Sequence, residues 1–210
     1  MRLAVSRAEG LALRPGEGHA VRLPGPSEQQ LEGSPRELVG ALSVCWGDAR
    51  VAEYCADLLE GADPMGCPEA LLYIGGRGAA GLLGRDDRQE VLRYWPRVWA
   101  ARALRYAWSP SAVPALVAAL DDEAWRVAEQ AMKVMTKYEV GEGVEAALAW
   151  VDHPLPRVRA TVLGLVAAVG ESEHVDHVLE GLQDPDPQVR RAAEKALTRL
   201  ERRLDVELQP

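Results

Sequence analysis

Imidazoles and carboxylates gathered on one turn are the first residues in this chain that could do chemistry. His174 and His177 stand three residues apart with Glu173 and Asp176 beside them, and His153 lies upstream at a proline-containing turn. Such groups can hold zinc or iron, and a solvated polar turn uses the same residues. His19 is the only other histidine. A second candidate, Gly76-Arg77-Gly78-Ala79-Ala80-Gly81, follows the apolar run Leu71–Ile74 and fits G-x-G-x-x-G. That spacing lets a backbone approach a pyrophosphate at a helix start. No alternation of strands and helices follows it, so a plain glycine-rich turn is the competing reading. No nucleophile–base pair or paired-carboxylate site stands out, and no cofactor is called for.

Any such group must be positioned by helices. The chain has 210 residues, 48% of them apolar, with alanine, leucine, valine and arginine dominant, Ile74 its single isoleucine and no phenylalanine. This is a helix former's composition, and its arginine bias fits GC-rich codons and a bacterial source. From Trp95 the sequence repeats every 31 residues. Val127, Val158 and Val189 form one column. Ala100, Ala131, Val162 and Ala193 form another, as do Ala103, Val134, Leu165 and Ala196, and Leu104, Met135, Val166 and Leu197.

The second half of each unit repeats as well. Val113, Leu116, Val117 and Leu120 recur as Val144, Ala147, Leu148 and Val151, then as Val175, Val178, Leu179 and Leu182. Their i, i+3, i+4, i+7 spacing is one face of a helix. Ser109-Pro110-Ser111, Gly141-Glu142-Gly143 and Gly170-Glu171-Ser172 separate first from second helices, and the acidic turns Asp121-Asp122-Glu123, Asp152-His153-Pro154 and Asp184-Pro185-Asp186-Pro187 start new units. The unit is helix, short turn, helix, and such units stack.

Upstream the reading is coarser. Residues 1–33 hold no helical period and read as an irregular or mobile arm, although Leu11, Leu13, Val21 and Leu23 alternate enough for a small hairpin. Residues 34–93 read as a helical region of degenerate repeats. Ser34-Pro35-Arg36-Glu37 starts a helix running to about Cys45; a second carries Val51, Tyr54, Cys55, Leu58 and Leu59; a third starts over Glu69–Ile74; Ala79–Leu83 reads as an apolar turn before the run Arg85–Arg88. Repeats then occupy 94–205, and 206–210 is a tail.

A formal charge of −8 and a pI near 5.1 argue against a sequence-independent grip on nucleic acid. Met1–Gly10 lacks the apolar core of a signal peptide, no stretch is long enough to span a membrane, and the three cysteines share no metal-ligand spacing. A cytoplasmic protein with reduced thiols is expected.

An acidic turn, then Val-Arg, alanines at helical spacing, a glycine-containing turn and a short second helix together resemble the HEAT-like repeats of phycobilisome lyases and their bacterial relatives, over roughly Trp95 to Leu204. The resemblance implies an all-α solenoid of the armadillo/HEAT type, a right-handed superhelix of helical hairpins with second helices on its concave side. It also implies a polar ladder in which an aspartate and an arginine six residues later link neighbouring units. Asp184 and Arg190 keep that pair; His153 stands where Arg159 needs an acid, and Ala128 where Asp122 needs an arginine. Relatives include scaffolds, chromophore lyases, iron-dependent hydroxylases with repeated His-Glu pairs, which are absent here, and DNA glycosylases that use tryptophans around an aspartate. Tyr94-Trp95-Pro96-Arg97-Val98-Trp99 fits the last only if it is not simply core.

Subtracting the packed columns leaves the outward positions of the second helices: Ala115, Ala118 and Ala119; Glu145, Ala146, Ala149 and Trp150; Asp176, His177, Glu180 and Gly181. Trp150 shares a column with Ala119 and Gly181, which predicts a shallow slot beside an indole, rimmed by carboxylates. The competing reading packs Trp150 against a neighbouring helix. The slot suits a basic or amphipathic peptide. The expected function is therefore a non-catalytic interaction module for a protein or peptide, with a chromophore-binding lyase-like protein or a glycosylase as the alternative.

Overall fold

In the computed structural model residues 23–84 and 94–205 are described, and among them every regular element is a helix. The helices are α1 (Glu28–Leu31), α2 (Pro35–Trp46), α3 (Asp48–Leu59), α4 (Pro68–Gly75), α5 (Arg77–Leu83), α6 (Trp95–Ala103), α7 (Val113–Ala118), α8 (Trp125–Tyr138), α9 (Val144–Leu148), α10 (Pro156–Val169), α11 (Val175–Gly181) and α12 (Pro187–Leu204). The repeating part is an α-solenoid. First helices α6, α8, α10 and α12 pack each on the next, and second helices α7, α9 and α11 lie beside them.

Apolar columns account for this arrangement. The valine column at 127, 158 and 189 is buried, as are Ala100, Ala131, Val162 and Ala193 and the column from Ala103 to Ala196. Leu116, Ala147 and Val178 close the second helices onto them. Each unit buries one stripe against its neighbours, so no unit has a core of its own. A single cluster of buried side chains runs from Leu38 to Leu200, so α2 to α5 share the core of the repeats.

Ser34 caps α2 in a capping box with Glu37, whose pKa the Ser34 backbone N–H and hydroxyl hold below the ordinary carboxylate range. Two expectations need correction. Residues 23–33 are not wholly irregular, because Ser27 and Gln30 form a capping box that holds the single turn α1. One turn has too few residues to show a period. Ala79–Leu83 belongs to helix α5 rather than to a turn. The hairpin expected from Leu11, Leu13, Val21 and Leu23 lies, Leu23 apart, outside the described residues, as do His19, the Arg85–Arg88 run and the tail 206–210.

The polar ladder also differs from its expected form. Asp184 does not pair with Arg190, whose guanidinium donates to the Asp184 and Pro185 backbone carbonyls. Its carboxylate instead receives two bonds from Arg159 of the preceding first helix, both 2.7 Å. Arg97 grips Asp122 in the same way, at 2.6 and 3.1 Å. Each rung thus joins an arginine to the aspartate 25 residues later, which places Ala128 opposite His153. Both halves of the middle rung are missing together.

His153 keeps half of the aspartate's task. Asp122 and Asp184 each accept the backbone N–H two residues on, at 2.8 Å, and His153 Nδ1 accepts that of Leu155 at 3.1 Å. The turn is held by the same local bond in all three units. Replacing Asp184 by alanine removes both the bidentate pair and the turn bond. A loss of roughly 2 kcal/mol in urea unfolding is expected, between exposed and buried ion pairs.

Candidate binding face

The glycine motif turns out to be a cradle for an indole. Gly76, at φ +59°, turns the chain between α4 and α5, and a Cβ on Gly78 would sit 3.1 Å from Cζ2 of Trp99. On Gly75 it would meet both Ala79 and Trp99 at 2.6 Å. Glycine is required here so that helix backbones can close on a large ring. Trp99 is 5% exposed and its neighbour Trp95 stacks on it at 6.1 Å. The aromatic run at 94–99 is therefore committed largely to packing.

The histidines at 174 and 177 part company. His174 is buried; its Nδ1 accepts the Glu171 N–H at 2.8 Å, which places the proton on Nε2, 2.8 Å from Glu145. Both ring nitrogens are thereby used, in a link between the second and third units. His177 is a third exposed, with Nδ1 3.9 Å from a Glu180 oxygen. Among the described residues no group of three histidines, cysteines or carboxylates has a metal-holding arrangement.

Glu145, Asp176 and Glu180 are exposed on the second helices, but Ala115 and Ala119, expected to face outward, are buried. Helix α3 lies against α7, and the turn at 119–121 packs on α8. Trp150 does not stand over an open slot. Its Nε1 donates to the Leu120 carbonyl at 2.8 Å, and its ring meets His153 at 5.4 Å. Gly181 approaches the first helices so closely that an added Cβ would lie 2.9 Å from Leu163 and 3.2 Å from Ala193. Ala119, Trp150 and Gly181 therefore line no common groove. Trp150→Phe keeps the packing and deletes one N–H; about 1 kcal/mol is expected in chemical denaturation.

An opening does exist one unit further on, a cavity of about 80 Å³. Val151, Leu163, Gly181 and Val189 form its apolar lining, with Asp152, His177, Glu180 and Asp184 among its polar groups. Three of the predicted residues, His177, Glu180 and Gly181, thus come together. Glu145 and Asp176 lie on the same run of second helices but outside the cavity lining.

One feature escaped the sequence reading. Glu129 is 1% exposed, yet its carboxylate receives Arg157 at 2.6 and 2.9 Å and Lys133 at 2.9 Å. Burial alone would raise its pKa, but the bonds from Arg157 and Lys133 outweigh that and hold it below the usual range. Arg157 also lies 5.0 Å over the Trp125 ring, with Arg126 at 4.3 Å from the same ring. This assembly joins α8 to α10 where the ladder is missing. The i, i+4 spacing of Glu129 and Lys133 is its one sequence signal.

Residues 144–208 match the family model for HEAT repeats. That part of the chain is HEAT-like. The matched HEAT segment starts at α9 and takes in the cavity, while α1 to α8 lie outside it. No curated protein and no solved structure matches the chain. No helix among the described residues is long and apolar enough to cross a membrane.

Proposed function

We propose that this is a non-catalytic interaction module whose second-helix face, the concave side of the solenoid, binds a basic or amphipathic protein segment. The observation that carries this reading is the combination on α9 and α11 of exposed carboxylates with an open, partly apolar cavity. Glu145, Asp176 and Glu180 are exposed there, and the cavity beside Glu180 has valine and leucine in its lining. Acidic groups steer a cationic partner and set its orientation, whereas apolar contact supplies affinity. HEAT repeats commonly serve as protein-interaction modules, which supports the same class.

A fluorescein-labelled amphipathic helical peptide of leucine and lysine tests it by anisotropy. Micromolar binding that weakens with salt is expected, and Asp176→Lys with Glu180→Lys should weaken it at least tenfold while the circular dichroism stays unchanged. Binding indifferent to that charge reversal would reject the assignment of this face.

A further inference from the structure

The repeat supplies its own template for what the cavity holds. Shifted by one period, Leu120 becomes Val151, Trp150 becomes Gly181, and His153 becomes Asp184. In the earlier unit the first three meet: the Trp150 ring lies against His153 and its N–H donates to the Leu120 carbonyl. In the later unit the counterparts line the cavity, where the Gly181 backbone closes onto Leu163 and Ala193. The Val151 carbonyl, counterpart of the one Trp150 binds, receives no backbone N–H from a described residue.

Charge selects the occupant. Asp152, Glu180 and Asp184 face the cavity against one guanidinium, that of Arg159, which is held by Asp184. The His177 Nδ1 atom is shielded from solvent without a hydrogen-bond partner. A planar cation with several N–H donors meets all of these demands, because it can bond a carbonyl and a carboxylate at once while lying flat on valine and leucine. A compact ammonium can make the two bonds but has no flat face to lay on the apolar lining.

We propose that this cavity seats an arginine side chain of the bound partner, its guanidinium set between the Val151 carbonyl and the Asp152 and Glu180 carboxylates. The proposal rests on the reading of the second-helix face as the partner surface, and names the residue that anchors there. Arg159 occupies the position of Ala128 and bounds the space, so a guanidinium fits it better than a second indole would.

Ethylguanidinium, with ethylammonium as control, tests the seat in the intact chain by amide chemical shifts. Saturable shifts confined to Val151, Asp152, His177 and Gly181 are expected. Ethylammonium should bind at least fivefold more weakly, as should ethylguanidinium in the variant Asp152→Asn with Glu180→Gln. Equal response to the two cations, or shifts scattered over surface carboxylates, overturns the seat. A peptide carrying one arginine, compared with its lysine counterpart, separates the two readings. If both bind equally and both are lost on Asp176→Lys with Glu180→Lys, the face stands and the seat falls. If ethylguanidinium fills the cavity while neither peptide binds, the seat stands and the face falls.

Discussion

Trp99→Ala is expected to cost about 3–5 kcal/mol, the range for deleting a buried tryptophan, and to lower Tm by roughly 6–20 °C. The ring does more than fill volume: it sits where α4, α5 and α6 converge, against glycines that have no other reason to be there. A partner mutation makes the claim specific. Gly78→Ala should cost about 1 kcal/mol in the native background, where its Cβ meets the indole at 3.1 Å. In the Trp99→Ala background it should become neutral or gain roughly half a kcal/mol, since alanine favours a helix over glycine. Additive effects in urea unfolding would contradict the cradle.

Glu129→Ala ranks next, at about 3 kcal/mol, or roughly 6–12 °C in Tm. It lies at the lower end for buried pairs because Arg157 is about half exposed and Lys133 a third exposed, so both cations can be resolvated. The pH dependence has a definite sign. Glu129 is held below its ordinary value of 4.5 in the folded protein, so its contribution is complete above that value and is lost as pH falls through the lower, folded one. Asp184 adds in the same direction: hydrogen bonding from Arg159 depresses it below 3.8. Tm should stay level near neutrality and drop below about pH 4.5. In Glu129→Gln the drop should be shallower, and an unchanged acid limb would remove Glu129 from the account.

What was legible in the sequence follows from these same residues. The 31-residue columns could be read because an apolar side chain at helical spacing declares its own burial, and their members are buried or partly buried. Ser34 and Glu37 could be read because a capping box is local. Glu129 could not, since its burial depends on an arginine 28 residues away. For Trp150 the column left a packed and an open indole both possible: its N–H is satisfied by a carbonyl of the previous unit, a choice periodicity does not encode. Ala115 and Ala119 were misread for a related reason. Helix α3, which breaks the period, covers part of the face that a regular solenoid would leave open.

Arginine–aspartate rungs hold the first and last joints between first helices, whereas the middle joint is held by a buried glutamate gripped from a half-exposed arginine. A coil whose couplings differ in kind does not flex as a uniform spring. Added salt reaches the half-exposed arginine more readily than the mostly buried rungs, so rising ionic strength softens the middle coupling first. That joint adjoins the units carrying the carboxylate face, and curvature there sets the distance between Glu145 and Asp176. The stiffness of one coupling thus tunes the spacing of carboxylates along the second helices.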